Sequence, residues 1–173
     1  PSRRNVITTS TEHKAVLDTA EWLKSNQSKV TIIPTDSAGV VDLSALDSAL
    51  DEGTAVVSAM AANNETGVVT SLQELIEVSQ KHEVLFHSDA TQVIGRGPFN
   101  VEELGLDLAS LSAHKIYGPK GVGALFVRRG TQLEAVTHGG GHERGLRSGT
   151  LNVPAIVGFG AAANLVTSRM KQT

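Results

Sequence analysis

The amino-acid sequence predicts an α/β fold in which helices cover both faces of a mostly parallel β-sheet. Two patterns support this prediction. Short apolar runs alternate along the chain with segments whose apolar residues recur at helical spacing. Several of these runs also end at polar or glycine-containing clusters, as the strands of βαβ units do.

Six apolar runs are predicted to be strands. The first is short and entirely β-branched, and the second stops at Pro34, which has no N–H to continue a ladder. The third, fourth and fifth end at polar clusters, and the sixth, which carries two glycines, leads towards a glycine-rich loop at residues 138–149. In chain order the predicted strands cover residues 6–8, 30–33, 54–60, 84–87, 106–111 and 121–127.

Four segments have the residue pattern of helices. In the first and third, apolar residues recur on one side, and Asp42 precedes the second as a predicted N-cap. The fourth is largely apolar and follows the glycine-rich loop. The predicted helices cover residues 13–26, 43–50, 71–80 and 153–166.

The composition excludes several classes of protein. The 173 residues suit one domain or part of a larger one. With 15 Lys and Arg against 18 Asp and Glu, the net charge of −3 argues against direct nucleic-acid binding. No apolar run approaches the roughly 20 residues of a membrane span. The absence of Cys excludes disulfides, thiolate metal sites and a cysteine nucleophile within these residues.

The polar clusters follow three neighbouring predicted strands. In an open α/β sheet, ligands bind beyond the carboxyl ends of the strands. We therefore expect one edge of the sheet to carry the active site. The side chains delivered there are those of Asn63, Asn64, Ser88, Asp89, Gln92, Ser112, His114 and Lys115.

Lys115 and Asp89 together indicate a particular chemistry. A lysine amine at a strand end can form a Schiff base with a carbonyl compound. A carboxylate on the next strand can pair with a protonated ring nitrogen, and these are the two protein groups that pyridoxal phosphate requires. Two alternatives remain: Lys115 as a solvated turn residue with Asp89 as a cap, and Lys120 as the reactive amine. His87, just before this cluster, reads as a strand residue rather than a ligand.

Five segments carry a resemblance to a known family. They are TTSTEHKAVL (8–17), NNETG (63–67), HSDATQ (87–92), SAHKIYGPKG (112–121) and GGGHERGLRSGT (139–150). In this order they resemble the central part of a cysteine desulfurase of the iron–sulfur-cluster assembly type. Such enzymes are class V aminotransferase-like proteins with the type I pyridoxal-phosphate fold, and the resemblance extends over essentially the whole chain.

The resemblance implies a role for each matching residue at the coenzyme ring. Lys115 would bind the coenzyme aldehyde and move the α-proton of the substrate, and His13 would stack on the ring and take part in proton transfers. Asp89 would bind the pyridine nitrogen and Gln92 the phenolic oxygen. Asn64 would lie near the phenolic oxygen and the substrate carboxylate.

The resemblance also implies how the phosphate is held. Ser112 and His114 would donate hydrogen bonds to it. Thr150, in the glycine-rich loop, would reach the phosphate of the neighbouring subunit, so a homodimer is expected. No metal is expected.

The family reaction converts L-cysteine to L-alanine and leaves a persulfide on the enzyme. The sulfur then passes to an iron–sulfur scaffold or another acceptor protein. We expect residues 1–173 to be part of the large, coenzyme-binding domain. An N-terminal segment and a C-terminal small domain, which carries the nucleophilic cysteine, are expected to lie outside them, so these residues alone should not be competent. A cytoplasmic location is expected, or a mitochondrial one in a eukaryote.

Other functions are compatible with the same residues. A selenocysteine lyase, a sulfur donor for nucleic-acid modification or another class V aminotransferase-like enzyme would share the fold. A non-catalytic fragment that only binds coenzyme or supports dimerisation is a second class. A metal hydrolase that uses His87, Asp89 and His114 is a third.

Overall fold

A six-stranded β-sheet forms the centre of the molecule in the computed structural model, which describes residues 3–170. The strand order is β2-β1-β3-β4-β5-β6; neighbours from β2 to β5 are parallel, and β6 is antiparallel to β5. The strands are β1 (Asn5–Thr9), β2 (Val30–Ile33), β3 (Thr54–Ser58), β4 (Leu85–Asp89), β5 (Leu108–Ser112) and β6 (Gly123–Val127). All six predicted strands are present, and the mostly parallel sheet is confirmed.

Five α-helices accompany the sheet within the described residues. They are α1 (Lys14–Ser25), α2 (Leu43–Ala49), α3 (Leu72–Lys81), α4 (Val101–Leu104) and α5 (Val153–Met170). Asp42 caps α2 as predicted, since its carboxylate accepts the N–H of Ala45 at 3.0 Å. The sequence pattern missed α4, because four residues are too few to show a helical repeat. No helix of residues 3–170 is long and apolar enough to cross a bilayer.

The hydrophobic core lies between one face of the sheet and helices α2 and α3. Ile7, Val57 and Phe86 project from adjacent strands, and Leu46 and Ile76 project from the two helices. All five are at most 2% exposed. Burying an apolar side chain of this size stabilises the fold by roughly 1.5–3 kcal/mol. This layer fixes the position of the strand ends.

The other face of the sheet is covered differently. His13 caps the N-terminus of helix α1, since its Nδ1 accepts the N–H of Ala15 at 3.1 Å. The helix buries Ala20 against the sheet, whereas Trp22 remains exposed. Because α1 buries so little, polar side chains from β3, β4 and β5 on this face border a cavity rather than a second apolar core.

Candidate functional site

A cavity of about 490 Å³ lies at the carboxyl ends of the parallel strands, beside α1. Its size is that of a small-molecule site. Of the eight residues to which the sequence assigns a role in binding or catalysis, seven line it: His13, Asn64, Asp89, Gln92, Ser112, His114 and Lys115. Thr150 is exposed and does not line this cavity. Its predicted role concerns a neighbouring subunit and stays a prediction.

The turn after β5 positions the lysine. Ser112 ends the strand, and residues Ala113–Ile116 form one turn of 3-10 helix that carries His114 and Lys115. Ala113 is fully buried and anchors this turn. The 3-10 turn ends at Tyr117, whose backbone is left-handed with φ of 64°. Lys115 is thereby brought to the cavity, whereas Lys120 lies beyond the turn, is exposed and does not line it.

The loop after β3 is tied to the start of α1. Asn63 donates through Nδ2 to the carbonyl of Thr11 at 2.8 Å. Its Oδ1 accepts the N–H groups of Glu65 and Thr66, each at 2.8 Å, which closes the loop on itself. Asn63 is therefore a structural residue of the loop, and the neighbouring Asn64 is the one that faces the cavity.

Asp89 is the last residue of β4, and Gln92 lies on the tight turn that follows. The Asp89 carboxylate accepts the N–H of Thr91 at 2.9 Å, which orients it at the cavity wall. Arg96 donates to Oε1 of Gln92 at 2.8 Å and to the carbonyl of Lys115 at 3.5 Å. Because a guanidinium can only donate, it takes the acceptor end of the Gln92 amide and leaves the N–H₂ end for a ligand.

Two ionisable side chains adjoin Asp89 without a predicted role at the coenzyme site, the buried Glu12 and the partly buried His87. Glu12 is 6% exposed; its Oε1 accepts the hydroxyl of Thr9 and the N–H of Met60, and its Oε2 has no hydrogen-bond partner. Burial raises the pKa of Glu12 to about 7, and the charge of Asp89 adds to this rise.

His87 is the second of these groups. Its Nδ1 lies 2.8 Å from the hydroxyl of Ser58, and its Nε2 lies 2.7 Å from that of Ser110. Burial lowers the pKa of His87, against the opposing effect of Asp89. His87 is a strand residue, as expected, but it also lines the cavity. The sequence contains a signal for this position, because His87 precedes Asp89 by two residues and the two side chains therefore lie on the same face of β4.

The cavity brings together a complementary set of groups for a flat, anionic heterocycle. A hydroxyl and an imidazole (Ser112 and His114) can hold a phosphate, and a carboxylate (Asp89) can hold a ring nitrogen. An amine (Lys115) can react with an aldehyde. By contrast, no group of three or more His, Cys, Asp or Glu within residues 3–170 is arranged to hold a metal ion. The metal-hydrolase alternative therefore has no site in the described part of the chain.

Comparison with known proteins identifies the family of this chain. The family model described as aminotransferase class-V matches residues 1–173. The chain belongs to the class-V aminotransferase family. Among curated members, a cysteine desulfurase IscS from Anaeromyxobacter sp. (strain Fw109-5) is 53% identical over 164 residues, which cover 94% of this chain and 41% of that protein.

Solved structures share the fold. A NifS-like protein matches with a TM-score of 0.94 and 46% identity, over 98% of this chain and 47% of that one. A structure of SspA in complex with cysteine matches with a TM-score of 0.88 and 38% identity, over 94% and 47% of the two chains. This class-V chain thus spans less than half the length of each of these relatives.

Proposed function

We propose that the chain is the coenzyme-binding core of a pyridoxal-phosphate-dependent cysteine desulfurase, which converts L-cysteine to L-alanine and transfers the sulfur. The observation that carries the proposal is that Lys115 and Asp89 line one cavity from the ends of adjacent strands. The cysteine desulfurases among the relatives and the cysteine-bound SspA structure support this choice of substrate.

Three residues act at the reacting centre in this proposal. When bound, the coenzyme supplies an electron sink for a substrate carbanion. The amine of Lys115 would hold the coenzyme and move the α-proton of L-cysteine. The carboxylate of Asp89 would keep the ring nitrogen protonated, and the imidazole of His13 would stack on the ring.

The remaining residues orient the coenzyme and the substrate. The N–H₂ end of Gln92, left free by Arg96, would donate to the phenolic oxygen. Asn64 would lie near the same oxygen and the substrate carboxylate. Ser112 and His114 would hold the phosphate, and Thr150 would reach the phosphate of a second subunit in a homodimer.

The nucleophile that accepts the sulfur has to lie outside these residues, since they contain no Cys. We propose that residues 1–173 are part of the large domain, with an N-terminal segment and a small C-terminal domain beyond them. A scaffold for iron–sulfur clusters, or another acceptor protein, takes the sulfur. A cytoplasmic location stays a prediction.

The test is turnover by the full-length protein reconstituted with pyridoxal phosphate. We expect L-alanine and sulfide in equal amounts from L-cysteine with a thiol reductant, and loss of at least about 1000-fold in kcat for Lys115→Ala. Lys120→Ala, at the exposed lysine of the same loop, should retain activity. Turnover of L-selenocysteine but not of L-cysteine would favour the selenocysteine lyase, and no turnover of either would contradict the proposal.

A further inference from the structure

A row of three hydrogen-bonded side chains crosses the floor of the cavity. Ser58 on β3, His87 on β4 and Ser110 on β5 come from three adjacent strands, and the bonds are 2.8 and 2.7 Å long. All three side chains line the cavity. Both ring nitrogens of His87 are therefore occupied by hydroxyl groups, and none of the proposed roles uses this row.

The protonation state of His87 requires its two hydrogen bonds to run in the same direction along the row. The lowered pKa of His87, caused by burial, keeps its imidazole neutral at neutral pH. A neutral imidazole has one N–H donor and one acceptor nitrogen, whereas a hydroxyl can serve in either role. One serine must therefore donate to His87 and the other must accept from it.

The position of Asp89 selects between the two directions. Asp89 pairs in register with Ser110 on the neighbouring strand, and both side chains line the cavity. A carboxylate favours the arrangement in which donors point towards it. This is the order in which Ser58 donates to Nδ1 of His87 and Nε2–H donates to Ser110. The hydroxyl hydrogen of Ser110 is then free to face Asp89.

We propose that His87 is a positioning residue that directs a hydrogen-bond row from Ser58 through Ser110 towards Asp89. The inference rests on the proposed function, in which Asp89 holds the ring nitrogen of the coenzyme. The row stabilises the carboxylate in the orientation and charge state that this contact requires. Its loss therefore weakens coenzyme binding and changes the electronic state of the bound ring.

Coenzyme titration of the full-length apo-protein tests the row. His87→Phe fills the site without hydrogen bonds, and we expect about tenfold weaker binding of pyridoxal phosphate with an altered absorption spectrum of the bound coenzyme. His87→Gln can accept from Ser58 and donate to Ser110. This variant should therefore bind pyridoxal phosphate with an affinity within about threefold of wild type, and its absorption spectrum should be close to that of wild type. Ser110→Ala should act in the same direction as His87→Phe.

His82→Phe is the matched control. His82 bonds to Asp47 at 2.9 Å at the end of α3, outside the cavity, so its loss should leave coenzyme affinity and spectrum unchanged. Melting temperatures of all variants separate binding effects from unfolding. A folded His87→Phe variant with wild-type affinity and spectrum would overturn the role of His87.

The protonation of His87 provides a second measurement that needs no coenzyme. In the full-length apo-protein labelled with ¹⁵N-histidine, and assigned by comparison with His87→Phe, we expect the neutral Nε2–H form at neutral pH. A neutral Nδ1–H form, or a charged ring, would overturn the proposed direction. Failure of the wild-type protein to bind pyridoxal phosphate would instead contradict the proposed function, whatever the NMR result.

Discussion

Glu12 is a buried acid next to the proposed coenzyme site, and its position explains how α1 is anchored. Glu12 lies in the turn before the helix, and its Oε1 joins this turn to Thr9 at the end of β1 and to the backbone of Met60 after β3. His13, the next residue, is thereby held at the cavity. Because Oε2 is buried without a partner, the ionised form is costly, and burial raises the pKa of Glu12 to about 7.

This raised pKa predicts a specific pH dependence of stability. Between pH 4.5 and 7 the unfolded chain loses the Glu12 proton and the folded chain keeps it, so stability falls as pH rises, by on the order of 3 kcal/mol. Glu12→Gln mimics the protonated acid and removes this loss. The melting temperature of the variant should gain on that of wild type from pH 5 to pH 8. If the difference in melting temperature between Glu12→Gln and wild type stays the same from pH 5 to pH 8, the raised pKa of Glu12 is contradicted.

Single residues also show where sequence patterns stop. The cavity-lining positions of Asp89, Gln92 and Lys115 could be predicted, because polar residues at the ends of parallel strands meet at one edge. Arg96 and Glu12 could not, since their contacts are set by the packing of distant turns and by burial. The periodicity of a sequence reveals neither how distant turns pack together nor how deeply a charged side chain is buried.

At the scale of elements, helix α5 packs on the turn that carries Gln92 and Arg96. Gly95 in this turn has φ of 78°, and a Cβ there would lie 2.4 Å from Cγ1 of Val166. The turn therefore requires glycine for its conformation and for the approach of the helix. The sequence predicted α5 from its apolar composition, but its partner depends on a tertiary contact.

Substitution of this glycine tests the contact. Gly95→Ala should destabilise the full-length protein by about 1–3 kcal/mol, because the added methyl meets the stiff side chain of Val166 and the positive φ is strained. Gly97→Ala is the control, since its Cβ would meet only Val93, at 4.0 Å. Chemical denaturation measures both. Equal effects of the two substitutions would show that the approach of α5 does not govern this turn.

At the scale of the whole molecule, the sheet order explains why one cavity collects residues from distant parts of the chain. Strands β3, β4 and β5 are adjacent, so the loops that follow them meet at one edge. The alternation of strands and helices predicted the parallel strands. The same alternation did not predict whether β6 is parallel or antiparallel to β5. No α-helix separates these two strands, and an antiparallel pair can be joined without a crossover.

Chemical trapping of the coenzyme tests the central claim most directly. Full-length protein loaded with pyridoxal phosphate is reduced with borohydride, digested and mapped by mass spectrometry. Our account predicts one reduced adduct, on Lys115, that disappears in Lys115→Ala and persists in Lys120→Ala. An adduct on Lys120, or no adduct on either lysine, would contradict it.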